Sequence, residues 1–272
     1  MSPSPSFAPS PFTEAADARL AAGGVRYSIC TLVTRMEEYG RMARSFQDHG
    51  FTPPECEYLY LDNGAGNRFD AFAGCNLFLA AARGEYVILC HQDIELLEDG
   101  RERLDARLAE LTRHDPGWGL AGNAGGCGPG RLALRISDPH GEDTSLGGPF
   151  PVRVGSLDEN FIIVRRAANL GLSRDLAGFH LYGTDLCLVA GLLGRSAYVV
   201  DFHLRHHSPG RTSADFQAAR RRLIEKYRAA FRPRWIATTC TTIFLSSSRL
   251  LNALANSSLG RKIAKRLAVR GF

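Results

Sequence analysis

Residues Glu85–Glu95 read EYVILCHQDIE, an almost unbroken apolar run from Tyr86 to Cys90 that meets His91, Gln92 and Asp93. A run of that length behind Gly84 predicts a strand buried on both faces. In an open α/β sheet, ligands bind beyond the carboxyl ends of the strands. The strand therefore delivers an imidazole and a carboxylate, two residues apart, to the expected ligand edge. If the extended conformation continues, His91 and Asp93 share one side and Gln92 takes the other. A helix start capped by Asp93 is the alternative.

The residues upstream set this strand in a repeating pattern. Arg26–Val33 (RYSICTLV) predicts a strand with Thr34 after it, and Met36–His49 predicts a helix with Met36, Tyr39, Met42, Ala43 and Phe46 on one face. Gly50 is placed to end that helix. Pro53 and Pro54 break the chain before a second strand, Tyr58–Leu61. Strand, helix and strand with short links form a βαβ unit and imply a parallel sheet. Asp62 stands at the second strand's carboxyl end, where it can accept hydrogen bonds from a base or ribose; it equally suits a turn with Asn63 and Gly64. The glycines here match neither GxGxxG nor GxxxxGK[ST], so a dinucleotide fold or P-loop is not supported. Asp70–Ala82 predicts a helix carrying Asn76, directed either at a ligand or at solvent.

Downstream, Glu98–Arg113 predicts an amphipathic helix with Leu104, Leu108 and Leu111 inward. Gly117–Gly130 is rich in glycine: Trp118–Gly122 reads as a strand, and the rest as a close backbone approach or a mobile loop. Ser137–Val154 is polar and reads as an exposed excursion. Phe161–Val164 predicts another strand, preceded by Asp158 and Glu159. Gly178–Leu188 reads GFHLYGTDLCL, with Gly183 and Thr184 opening a helix whose first turn holds Asp185. There Asp185 complements the helix dipole or does chemistry. Ala197–Phe202 predicts a last strand, followed by His203, His206 and His207 within five residues, and Asp215–Phe231 a helix.

Composition bounds the class. The chain has 272 residues, 44% hydrophobic and 22% charged, with a net charge of +5 that does not by itself call for nucleic acid. Seven scattered cysteines without a CxxC pair argue against a secreted disulfide framework and fit a reducing cytoplasm. Residues 1–24 form a Ser/Pro-rich lead and a short helix over Thr13–Ala22, with no signal-peptide pattern. Trp235–Leu245 is too short to span a bilayer. Arg249–Phe272 carries six basic residues, no acidic residue and regularly spaced leucines, the composition of a helix that lies on anionic lipid or packs on its own domain.

A first strand ending near Thr34, a second ending in Asp62-Asn63-Gly64, a helix with internal Asn76, then EYVIL and a short acidic motif resemble the nucleotide-binding half of a family 2 glycosyltransferase with the GT-A fold. His91-Gln92-Asp93 and GFHLYGTDLCL resemble a StrF-like subset of that family. The resemblance covers about two-thirds of the chain and implies an α/β, mostly parallel central sheet flanked by helices over residues 25–210, with a helical extension over 211–272. It implies transfer of a sugar from a nucleotide-sugar donor to an acceptor hydroxyl, with inversion. The acceptor (glycan, lipid-linked or protein) stays open, as does peripheral membrane contact through the basic tail. Relatives carry Asp-x-Asp where this chain has His91 and Asp93, so one carboxylate remains for the cation.

The same resemblance implies site roles. Asp93 would hold Mn²⁺ or Mg²⁺ with a histidine, for which the HxSxG spacing points to His206 with His207 as the runner-up, and imidazole ligation favours manganese. Asp185 would deprotonate the acceptor, with His180 and Tyr182 beside the sugars. Thr34, Asp62, Asn76, His91 and Asp158 would contact the donor. A sugar-nucleotide-binding protein without transfer and a metal-dependent hydrolase built on His91, Asp93 and the later histidines are the rival readings.

Overall fold

The computed structural model describes residues 13–14, 24–210, 213–237 and 242–270. Its chain divides into two compact units, Met1–Ala219 and Arg220–Phe272.

The first unit opens with β1 (Thr13–Glu14), β2 (Tyr27–Val33), α1 (Met36–Asp48), β3 (Cys56–Asp62), α2 (Ala71–Ala81) and β4 (Tyr86–Cys90). It continues with β5 (Ile94–Leu96), α3 (Arg101–His114), β6 (Trp118–Gly122), β7 (Ala124–Gly128), β8 (Arg131–Asp138) and β9 (Gly141–Leu146). Then come β10 (Val152–Val154), β11 (Ser156–Leu157), β12 (Phe161–Arg165), α4 (Tyr182–Leu192), β13 (Ser196–Val199) and β14 (Leu204–His206). Helix α5 (Ala214–Ala230) runs across the boundary. The second unit adds a hairpin of β15 (Arg234–Ala237) and β16 (Thr242–Leu245), then α6 (Arg249–Asn256) and α7 (Ser258–Arg270).

The central sheet has the order β1-β3-β2-β4-β12-β6-β13-β10. Strands β2, β3, β4, β6 and β13 run one way, and β1, β12 and β10 run against them. All five residues of β4 are buried, as the apolar run requires. Helix α1 lays Tyr39, Met42 and Phe46 into the core beside Ile29, Ile88 and Leu104, while Met36 is exposed. Each such side chain contributes roughly 1.5–3 kcal/mol by leaving water. A second sheet, β11-β7-β8-β14-β5 with β9 on β8, supplies the rest of the site's frame.

Register aligns the ligand edge. Val33 pairs with Asp62 and Cys30 with both Leu89 and Leu59, so the carboxyl ends of β2, β3 and β4 fall together. Behind them a polar network fixes the opposite end of the sheet. Glu57, 1% exposed, accepts from the Ser28 hydroxyl and from Arg83 N and Nε at 2.7 and 2.6 Å.

Some expectations change here. Thr13 and Glu14 form a strand edge rather than a helix start; residues 1–11 and 15–22 lie outside the described residues. The glycines after Gly122 form β7 rather than a loop. A Cβ on Gly125 would meet the Ser156 carbonyl oxygen at 2.5 Å, so close strand packing accounts for that glycine. The polar stretch after Ser137 is largely a sheet extension, with β9 paired to β8. The six described cysteines are free thiols, and burial pushes Cys56, Cys90 and Cys187 up to about 12. No helix among the described residues is long and apolar enough to cross a membrane.

Candidate functional site

Beyond Cys90 the chain leaves the sheet through a turn at Gln92 and Asp93 and re-enters structure as β5. The expected extended continuation gives way to this turn, and Asp93 does not cap a helix. The division of sides nonetheless holds. His91 and Asp93 face each other, with Nδ1 to Oδ1 at 3.9 Å. Gln92 points away: its Oε1 accepts from Thr34 N at 2.8 Å and Arg35 N at 3.0 Å, and its Nε2 donates to Thr34 Oγ1 at 2.9 Å.

Strand β14 pairs with β5, placing His206 opposite Ile94 and beside the turn. His206 Nε2 lies 3.5 Å from Asp93 Oδ1 and 3.3 Å from His91 Nδ1. These three ligand atoms form the one group of metal-binding geometry found among the described residues. Ligands about 2.1 Å from one ion lie about 3.0–3.4 Å apart at octahedral or tetrahedral angles, so the cluster fits a divalent cation with small adjustments.

The hydrogen bonds also assign the donor atoms. Tyr182 Oη donates to the Glu159 carbonyl at 3.1 Å and lies 3.2 Å from His91 Nε2. Its proton is thus engaged, and His91 donates to it from Nε2. The His91 Nδ1 lone pair then faces Asp93 and His206, and Ser208 Oγ stands 3.0 Å from His206 Nε2. Lone pairs converging on one point repel unless a cation or proton stands among them. Burial, then the neighbouring His206, lowers the His91 pKa against the raising effect of Asp93 and Asp158, which favours the neutral imidazole. Burial raises the Asp93 carboxyl, but His206, His91 and the Ser208 hydroxyl outweigh it and hold the group well below the usual range.

The cluster borders a cleft of about 250 Å³. Its floor is Cys30, Leu32 and Leu89 from the strands, its walls include Phe78, Phe179 and Tyr182, and its polar rim is Thr34, Asn63, His91, Gln92 and Asp93. The segment after Gly171 is tied down beside it. Asn76 exchanges two hydrogen bonds with the Leu172 backbone (2.9 and 3.1 Å), and Ala71 N donates to Gly178 O at 3.0 Å. That anchoring brings Phe179 to the cleft. A second depression, lined by Glu38, Arg41, Ile94, Glu95 and His207, shares Gln92 and Asp93 with the first.

Several expected site residues do not line the cleft. His207 turns its ring to Glu95 at 3.2 Å, outside the cluster, because the alternation of β14 sends only His206 inward. Asn76 is half-buried and its side-chain amide bonds the Leu172 backbone. Asp62 is exposed at its strand end and closes a turn by accepting from Gly64 N at 2.8 Å. Asp158 is exposed and accepts from Asn160 N at 3.0 Å. His180 is half-buried with its ring edge-on to Phe216 at 5.7 Å and does not line the cleft.

The largest correction concerns Asp185. It is fully buried, with Oδ2 accepting from Ser173 N at 2.8 Å and Oδ1 from Ser173 Oγ at 2.7 Å. A general base must come within hydrogen-bond reach of the proton it takes, and this carboxylate has no exposed surface to offer. It anchors the Ser173 segment instead. The sequence reading named Gln92 beside His91 and Asp93 but gave no site role to Gln92, Asn63 or Phe179. A glutamine between two candidate ligands, one position out of phase with both, was the signal available for Gln92.

No family model matches the sequence. The fold is similar to that of S. aureus TarS 1–349 in complex with UDP-GlcNAc, at 12% identity and a TM-score of 0.52 over 75% of this chain and 67% of that one. It is also similar to GalNAc-T7 with UDP, GalNAc and Mn²⁺, at 10% identity and a TM-score of 0.52 over 75% of this chain and 48% of that one. The chain thus spans about half the length of GalNAc-T7. At these identities the likeness is one of architecture, and it is the GT-A glycosyltransferase fold. A protein of Fuscovulum blasticum, ATP synthase subunits region ORF 6, is 41% identical over 213 residues, 75% of this chain and 84% of that protein. With that identity over most of both sequences, the chain belongs to the same family as ATP synthase subunits region ORF 6 of Fuscovulum blasticum.

Proposed function

We propose that the protein is a divalent-cation-dependent glycosyltransferase that moves a sugar from a nucleotide-sugar donor to an acceptor hydroxyl, with inversion. The observation that carries the reading is the convergence of His91, Asp93 and His206 beside a cleft at the carboxyl ends of β2, β3 and β4. The fold supports it, because TarS and GalNAc-T7 are solved with UDP-GlcNAc and with UDP, GalNAc and Mn²⁺. His91 Nδ1, Asp93 Oδ1 and His206 Nε2 would hold the cation, Mn²⁺ rather than Mg²⁺ given two imidazoles. A bound cation supplies counter-charge to a departing diphosphate. Gln92 fixes the Thr34 backbone at the rim, and Asn63 and Phe179 shape the space for the donor. Cleft volume lies just under the ~300–1,000 Å³ of small-molecule sites, which suits part of a sugar nucleotide with the remainder in the open.

Within this reading, residues 25–210 form the transferase domain, residues 211–272 an extension, and the His-Gln-Asp motif marks a StrF-like subset working in the cytoplasm. A second reading, donor binding without transfer, draws on one observation. Asp93 is the sole carboxylate lining the cleft among the described residues, and Asp185 is sealed away.

The experiment is a thermal-shift panel of UDP-, GDP- and dTDP-sugars with and without Mn²⁺, followed by assay of donor consumption. Ligands that prefer the folded state raise its stability. The proposal expects one donor class to stabilise the protein only with Mn²⁺, the effect vanishing in Asp93→Asn and His206→Ala but persisting in His207→Ala. Stabilisation with no donor consumption over a broad acceptor set supports the binding reading. No stabilisation by any donor overturns both.

A further inference from the structure

The second unit exposes a set of apolar side chains that water does not favour. In α6, Leu250, Leu251 and Leu254 are 68, 49 and 60% exposed; in α7, Leu259 and Ile263 are 67 and 49% exposed. Spacings of four residues, Leu250 to Leu254 and Leu259 to Ile263, put each pair on one side of its helix. In the hairpin, Trp235 shares one face with Phe244 while Ile243 and Leu245 take the other, and each of Trp235, Ile243 and Leu245 is at least 39% exposed. Apolar exposure at this many positions in one short unit marks an interaction surface rather than isolated surface leucines.

Charge decides what the surface meets. No acidic residue follows Glu225 in the sequence, and Arg249, Arg261, Lys262, Lys265, Arg266 and Arg270 lie within or beside the two helices. Arg249, Lys262 and Arg266 are exposed. A second copy of the chain would bring these like charges together, and an apolar protein groove would leave them unpaired. An anionic bilayer surface takes both features at once: leucines enter the acyl boundary while lysines and arginines stay with the headgroups. Ser257 is extended (φ −62, ψ 161) and breaks the path between α6 and α7, so neither helix runs long enough to span.

We infer that residues 249–270, with the Trp235 hairpin, form a peripheral docking surface for anionic lipid membranes. This does not rest on the donor reading. If both hold, the sugar acceptor is one presented at a membrane surface.

The test is flotation of the full chain with vesicles of phosphatidylcholine alone or with about 30% phosphatidylglycerol. Binding is expected on the anionic vesicles only, released as salt rises towards about 1 M, with a blue shift of Trp235 emission. Leu250→Ser with Leu254→Ser, and separately Lys262→Glu with Arg266→Glu, should each weaken binding by about tenfold or more. Circular dichroism checks that helix content is kept; if the leucine variant loses helix, the charge variant and the tryptophan shift carry the test. Absence of flotation, equal flotation on both vesicles, or no response to the charge variant overturns the inference. So does concentration-dependent dimerisation in sedimentation velocity that the leucine variant abolishes.

Discussion

Tyr182 Oη sits 3.2 Å from His91 Nε2 while donating its own proton to the Glu159 carbonyl. The tyrosine thereby fixes which imidazole nitrogen carries hydrogen and which faces Asp93 and His206. A partner of this kind orients a ligand and raises its basicity. Both residues were legible in the sequence as site candidates, His91 as a donor contact and Tyr182 beside the sugars. Their relationship was not, because 91 residues separate them and only the packing of α4 against β11 and the sheet brings them together.

Tyr182→Phe is expected to weaken Mn²⁺ binding by about 10–100-fold with the fold retained. Electron paramagnetic resonance of free Mn²⁺ measures this without any turnover. Unchanged affinity would show that the hydroxyl does not set the tautomer.

Asp185→Asn separates a structural acid from a base. The buried carboxylate accepts two hydrogen bonds from Ser173, so the substitution should cost about 1–3 kcal/mol of stability, read by urea denaturation. A variant with wild-type stability and lost transfer would restore Asp185 to the chemistry.

Glu159 makes a pH prediction. Burial, then the neighbouring Asp158 charge, pushes its carboxyl from 4.5 up to about 8, against the backbone N–H groups at the start of α4. In the folded state the proton is held more tightly than in the unfolded chain, so stability is fullest below about 4.5 and is lost as pH rises towards about 8. Glu159→Gln should flatten the fall in thermal midpoint across that window. A slope identical to wild type would place the titration elsewhere.

How far the sequence could be read depends on whether the deciding contact is local. The apolar run of β4 and the strand–helix–strand order before it are local, and they sufficed for the α/β architecture. His91 and Asp93 lie on one turn and were legible as a pair. The HxSxG spacing from His206 to Gly210 favours His206 over His207, and the pairing of β14 with β5 is what sets His206 beside the turn. Asp185 misled for a related reason. An acid in a helix's first turn looks alike whether it meets a ligand or a serine 12 residues back. Glycine content misled at Gly125, where a strand packed too closely for a side chain resembles a flexible loop.

The central claim is that His91, Asp93 and His206 together hold the cation that grips a nucleotide diphosphate. Crystals soaked with Mn²⁺ and UDP, measured at the manganese absorption edge, test it most directly. The account predicts one strong anomalous peak within bonding distance of His91 Nδ1, Asp93 Oδ1 and His206 Nε2, with the diphosphate against it and the nucleoside in the cleft between Thr34 and Phe179. A peak elsewhere, or nucleotide bound with no metal at these three atoms, would contradict it.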